Sequence, residues 1–271
     1  MTASYIALDL SDLALAALLV LLNGALSLWL RLALARQFLL AAARMCVQLA
    51  LVGLVLRTLF DLVSPLLTGL AVLVMVLFAG REVMGRQERR FRGPWAYGLG
   101  TASVLFAGTV VTVFALATQI EADPWYHPRY AIPLLGMILG NTMTGIAVGL
   151  NTLTGQIRRE RAAIETLLAL GETRATAFRP LVRSAVRNGL IPIVNAMSAA
   201  GVVSLPGMMT GQILSGVEPF EAIKYQILIM FLIAGGTGLG VVTAVHAGAA
   251  RLSDARHRLR LDRLATHQSG S

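Results

Sequence analysis

The sequence predicts an all-α integral membrane protein of about seven transmembrane helices, with the N-terminus outside and the C-terminus cytoplasmic. Three observations predict it. Hydrophobic residues fill 56% of the 271 positions and charged residues only 14%, where a soluble domain carries about 25% charged residues. Mean hydropathy is +0.71, and the apolar residues gather in stretches of the ~20 residues that a helix needs to cross a hydrocarbon core. The cationic residues lie almost entirely between these stretches, and mostly on one side of them.

The stretches fall near 11–30, 38–60, 64–80, 96–119, 130–152, 188–209 and 222–248. The sixth is the least regular: it contains Pro192, and Pro206-Gly207 near its end is expected to break or bend it. Arg31 and Arg36 separate spans one and two. Arg81, Arg86, Arg89, Arg90 and Arg92 separate three and four, and seven arginines from Arg158 to Arg187 separate five and six. With five more in the tail, nineteen of the 23 basic residues share one side; the other side has Arg57, Arg129 and Lys224. The arginine-rich side is therefore expected to be cytoplasmic. The net charge of +9 is then a consequence of topology and attraction to anionic lipid, which removes the reason to expect a nucleic-acid partner. The N-terminal stretch holds Asp9 and Asp12 with no basic residue before Arg31, so it lacks the positive start of a cleavable signal peptide.

The expected organisation is one polytopic domain over 1–250 with a basic cytoplasmic tail over 251–271. The longest cytoplasmic connection, 155–187, is too short to fold alone. What this connection and the spans lack argues against several chemistries. The only lysine, Lys224, follows Ile223, so there is no phosphate-binding GxxxxGK[ST] loop and no cofactor is expected on this chain. No carboxylate falls inside the predicted spans, where proton- or sodium-coupled transporters place one. HExxH, CxxC and GxSxG are absent. A retinal protein would need a deep lysine and a buried counter-ion, whereas Lys224 lies at the outer end of span seven. The single cysteine, Cys46, excludes an internal disulfide.

In the connection, Ile164, Leu167, Leu168 and Gly171 share a helical stripe flanked by Arg158, Arg161, Glu165 and Glu172. An amphipathic helix over 157–172 either lies along the membrane face or docks into a partner's groove. Gly171 is expected to end it. The heptapeptide ETLLALG (165–171) resembles the EAA-type coupling loop of ABC-transporter permeases, with Thr166 and Leu167 in place of two alanines and with Pro180 closer than usual. RMCVQLALVG (44–53), PLLGMILGNTMTGIAVGL (133–150), RRERAAIETLLALGET (158–173) and LPGMMTGQILSGVEPFEAIKYQILIMF (205–231) follow in that order. Together they resemble the FetB family of bacterial permeases, which also has plant relatives, the aluminium-sensitivity membrane proteins. The likeness covers about 23–250 and is most specific at 136–150 and 205–231.

The resemblance implies a multi-pass protein of the bacterial inner membrane. It would be the permease of an ABC transporter that works as a homodimer with a separate FetA-like ATPase, which would bind the ATP and Mg. The bacterial members are implicated in iron export; the plant relatives are associated with aluminium tolerance and proposed UDP-glucose transport. Arg161, Ile164, Glu165, Leu168 and Gly171 are then the expected ATPase contact. A channel or secondary transporter working alone, a permease for a nucleotide sugar or other anionic solute, and a sensor subunit with no pathway are the alternatives.

Polar groups inside the spans give the candidate pathway. Arg44 sits roughly 10 Å deep in span two, with Gln48 one turn further. The pair either lines a route for an anionic or metal-chelate cargo, or Arg44 snorkels to headgroups while Gln48 bonds a neighbouring helix. In span five, Met137, Asn141 and Thr144 lie close to one face among Gly136, Gly140, Gly145 and Gly149. Close helix packing and cargo contact both account for them. Asn195 in span six, Met208 and Gln212 after its break, and Gln226 in span seven complete the set. The outer loop offers Glu121, Asp123 and His127, either a metal-release point or a solvated loop anchored by Trp125 and Tyr126. The tail, with Arg256, Arg258, Arg260 and Arg263 among Leu252, Leu259 and Leu261, reads as a lipid-surface anchor.

Overall fold

The computed structural model describes residues 9–120, 123–254, 256 and 258–265. Glu121 of the expected outer cluster and the last six residues of the tail lie outside them. Among the described residues nine α-helices follow in order: α1 (Leu10–Trp29), α2 (Ala35–Leu62), α3 (Pro65–Gly85), α4 (Trp95–Ala115), α5 (Pro128–Arg159), α6 (Arg161–Ala169), α7 (Arg174–Ala199), α8 (Gly207–Leu214) and α9 (Pro219–Arg251). Six of them (α1 to α5 and α9) are long and apolar enough to cross a membrane. Local chemistry sets the boundaries. Pro65, Pro128 and Pro219 open their helices at positions where the missing N–H costs nothing. The Thr173 hydroxyl accepts from the Thr176 N–H to cap α7, and the Glu218 carboxylate accepts from the Glu221 N–H to cap α9.

The sixth predicted span needs correction. Its helix, α7, begins at Arg174 rather than near 188, and it passes through Pro180 and Pro192. It stops at Ala199, so the break lies over 200–206 and Gly207 starts a new helix. The docking helix also differs from its expected span of 157–172. A break at Glu160 separates α5, which runs on to Arg159, from a nine-residue α6.

At the centre stands α5, packed on α3, α4, α7 and α9. Gly145 and Gly149 of α5 set the directions. A Cβ at Gly145 would lie 2.8 Å from the Gly189 carbonyl of α7 and 2.9 Å from Val241 of α9, while one at Gly149 would meet Ala185 and Val245. Residue numbers fall along α7 and rise along α9 as they rise along α5. Thus α7 runs antiparallel to α5 through the same thickness, and α9 runs parallel to it. Glycines permit this approach, because lipid gives no hydrophobic drive for helices to associate and close backbone packing must supply it. Buried Leu150, Leu153, Ile157, Val241 and Val245 fill one end of the core. Ile138, Ile193, Ile229 and Ile233 fill the other.

Helices α1 and α2 pair with each other beside this bundle and touch little of it. None of the most apolar window of α2 is buried. At the opposite end of the chain, the expected surface anchor is a packed element instead. The Arg92 N–H donates to the Arg263 carbonyl and the Ala265 N–H to the Arg90 carbonyl, each at 2.8 Å. This clips the tail to the α3–α4 loop with Phe91, Leu252 and Leu264 buried. Leu252 is therefore unavailable to lipid.

Candidate functional site: a polar relay and an arginine face

Two polar constellations emerge from the fold. The first joins α2, α3 and α5. Span three was expected to end near residue 80, but α3 continues to Gly85 and so carries Glu82 level with Arg44. Arg44 Nη2 donates to Glu82 Oε1, and Arg86 approaches the other carboxylate oxygen at 3.9 Å. Arg86 Nη1 also donates to Thr144 Oγ1 at 3.0 Å. Two predicted residues, Arg44 and Thr144, are thus connected through two that were not predicted, Glu82 and Arg86. Glu82 lies past the predicted end of span three, in the last turn of α3. Asn151 completes the junction: its Nδ2 donates to the Arg86 carbonyl and its Oδ1 accepts from the Glu88 N–H, capping the end of α3.

On the same side of α5, the Asn141 side chain is exposed and donates to the Met137 carbonyl of its own helix at 2.9 Å. Among the described residues it bonds no neighbouring helix. Met137 itself is half-buried against the core. Gln48 is exposed on α2, one turn beyond Arg44.

The second constellation lies on α7. One face of this helix, with Ala177, Phe178, Leu181, Ala185, Gly189 and Ile193, is buried against α5 and α9. The opposite face carries Arg179, Arg183 and Arg187 at successive turns, all exposed, then Asn195 and Ser198. Arg179, Arg183, Ser184, Arg187 and Asn188 line an open groove of about 740 Å³, and none of the three guanidinium groups has an ionic partner among the described residues. Ala185 sits beside Gly149 and Gly189 beside Gly145, so Arg187 is level with about residue 147 of α5. That places it roughly 16 Å from the charged end of α5 at 1.5 Å per residue. A bare guanidinium at such depth needs water, a counter-charge or a second polypeptide. Sequence reasoning had assigned these arginines to a cytoplasmic connection. The i, i+4, i+8 spacing leading into Asn188 and Asn195 was the signal that they share one helix.

The remaining predicted positions are dispersed. Gln226 is buried in α9, and its carbonyl oxygen and that of Gln212 in α8 have no hydrogen-bond partner. Met208 packs partly into the core. On α6, Arg161 and Glu165 form an exposed pair at 2.8 Å. Ile164 is corrected: at 2% exposure it faces the chain's own core, with Leu168 packed against the same cluster. The large apolar side chains that α6 and its C-terminus leave exposed are Leu167 and Leu170. Gly171 adopts φ +92°, and the Gly171 and Glu172 N–H groups bond back to Leu168 and Leu167, closing the helix as a left-handed cap. In the loop before α5, His127 caps that helix by accepting from the Arg129 N–H. Among the described residues, no group of three or more His, Cys, Asp or Glu is placed to hold a metal ion.

Helices of this length and apolarity, packed through glycines and carrying a charged face that lipid cannot solvate, define a multi-pass membrane protein. Residues 10–252 match the model of the uncharacterised protein family UPF0014, and the chain belongs to that family. It is 39% identical over 221 residues to the UPF0014 membrane protein slr1647 of Synechocystis, covering 80% of this chain and 83% of that one. It is 33% identical over 250 residues to the probable iron export permease protein FetB of Escherichia coli, covering 92% and 93%. With the protein ALUMINUM SENSITIVE 3 of Arabidopsis thaliana it shares 34% identity over 233 residues, covering 86% and 83%. No solved structure matches the chain.

Proposed function

We propose that this chain is the membrane-spanning permease of an ABC transporter, oriented with its C-terminus in the cytoplasm, working as a pair of copies and driven by a separate ATPase that docks on α6. The observation that carries the proposal is the position of α6. It links the end of α5 to the start of α7, so a force on its exposed Arg161–Glu165 edge passes to the central helix and to the helix with the arginine face. Leu167 and Leu170 supply apolar contact on the same element. The 200–206 break beyond α7 gives that helix a place to hinge. The cargo reading is metal export, with iron first, by likeness to the FetB permease.

A specific observation favours a second cargo. Three guanidiniums on α7 with no ionic partner among the described residues attract an anion and repel a naked cation, which suits an anionic solute such as a nucleotide sugar or a metal carried as an anionic chelate. The test is reconstitution with an ATPase recovered by co-purification with this chain. Co-purification is expected to fail with Glu165→Arg, and flux is expected to require ATP. ATP-independent flux through the chain alone would sink the reading. Stimulation of ATPase activity by Fe(II), Fe(III)-chelate or a nucleotide sugar then assigns the cargo.

A further inference from the structure

We propose that the cavity between α2 and α3 holds the phosphate headgroup of an anionic phospholipid from the leaflet on the arginine-rich side. This cavity measures about 850 Å³ and is lined by Arg36, Arg44, Arg81, Arg86 and Arg90, with Glu82 as its one carboxylate. Glu82 is already shared between Arg44 and Arg86. The Arg36, Arg81 and Arg90 side chains have no partner among the described residues, so the cavity has cationic capacity to spare. Arg36 stands at the start of α2 and Arg90 beyond the end of α3, which puts this spare charge at the mouth, where headgroups lie. Arg44 is about 12 Å further along α2.

The walls argue for a lipid over a soluble anion. Leu40 and Met84 line the cavity beside the arginines. Nearby, Leu39, Leu40 and Met45 of α2 and Phe78 of α3 are exposed, apolar side chains on which acyl chains could lie. Basic pockets between transmembrane helices recognise anionic headgroups through this combination of charge and apolar wall. The consequence concerns α2, which has little other hold on the bundle. A phosphate bridging Arg36 on α2 to Arg81 and Arg90 would fasten the α1–α2 pair beside the existing Arg44–Glu82 link. The inference stands apart from the transport reading, since it concerns lipid retention and not flux.

The experiment is native mass spectrometry of the purified full chain titrated with phosphatidylglycerol, phosphatidylcholine or soluble glycerol phosphate. Phosphatidylglycerol is expected to be retained in preference to phosphatidylcholine and not displaced by millimolar glycerol phosphate. The triple variant Arg36→Gln, Arg81→Gln, Arg90→Gln is expected to bind it roughly a hundredfold more weakly. The matched variant Arg179→Gln, Arg183→Gln, Arg187→Gln, with the same loss of charge, is expected to retain it. The Arg→Lys triple is expected to recover most of the binding, which separates loss of the site from misfolding. Equal loss in both glutamine triples, no headgroup preference, or displacement by glycerol phosphate would each overturn the proposal.

Discussion

Helices α5 and α2 are both long and apolar, yet one is the centre of the protein and the other stands at its side. Mean hydropathy does not separate them: it is higher over the best window of α2, at 2.1, than over that of α5, at 1.6. Glycine contacts do. Gly145 and Gly149 of α5 press on the backbones and side chains of α7 and α9, whereas a Cβ at Gly53 of α2 would meet nothing within 4 Å. In water, apolarity marks the inside of a protein; in lipid it marks only what crosses, and small residues mark what packs.

The largest expected effect follows from that contrast. Gly145→Val and Gly189→Val each force a side chain against a backbone carbonyl that has no room to move, and each is expected to cost about 3 kcal/mol. Gly53→Val is expected to leave thermal stability in detergent unchanged. Equal melting temperatures for the three would show that α5, α7 and α9 do not meet as described.

The next prediction sets the exposed face of α7 against that of α2. In a Cys46→Ser background, Arg187→Cys is expected to react with a membrane-impermeant maleimide, and Leu54→Cys on the lipid-facing side of α2 is not. Arg187→Leu is expected to keep the fold and to lower flux through the reconstituted transporter roughly tenfold. A leucine variant with full flux and a cysteine variant that resists labelling would mean that this face meets lipid or another chain.

These contrasts also mark how far the sequence was legible. Six crossings could be read because apolar length is a local property, and the Gly171 cap could be read because a left-handed turn favours glycine. The start of α7 could not. Its arginines look the same in a loop as on a helix until Gly189 is seen against Gly145. Glu82 was missed because the apolar window of span three ends before it, although the helix does not. The two polar neighbours that make Arg44 and Thr144 a relay therefore lay outside the segments searched for a pathway. The clip between 90–92 and 263–265 depends on backbone hydrogen bonds across most of the chain, which no local pattern encodes.

A smaller effect tests that relay. Arg44 and Glu82 are both partly exposed, so screening limits the pair to about 1 kcal/mol or less. Glu82→Gln is expected to lower stability by that amount, and a double-mutant cycle with Arg44→Gln to return a coupling of the same size. Zero coupling would leave the α1–α2 pair with no ionic link to the bundle.

The smallest effect belongs to the tail clip, where Asp262 is exposed to water. Asp262 accepts two hydrogen bonds from Arg260, at 2.9 and 2.8 Å. These hold its carboxyl down at about 2 from an ordinary 3.8. Asp254 is also lowered, chiefly by the Arg258 backbone N–H. A folded-state value below the unfolded one means that the stabilisation is complete above about 3.8 and disappears as the pH falls toward 2. Carboxyl carbon NMR of the full chain in micelles is expected to show Asp262 titrating well below a free aspartate. Arg260→Gln is expected to return it to the ordinary range while the Gly145–Gly189 contact stays intact. If Asp262 titrates normally in the unaltered chain, the Arg260 pair is absent in solution and the clip rests on its backbone hydrogen bonds and on Phe91, Leu252 and Leu264 alone.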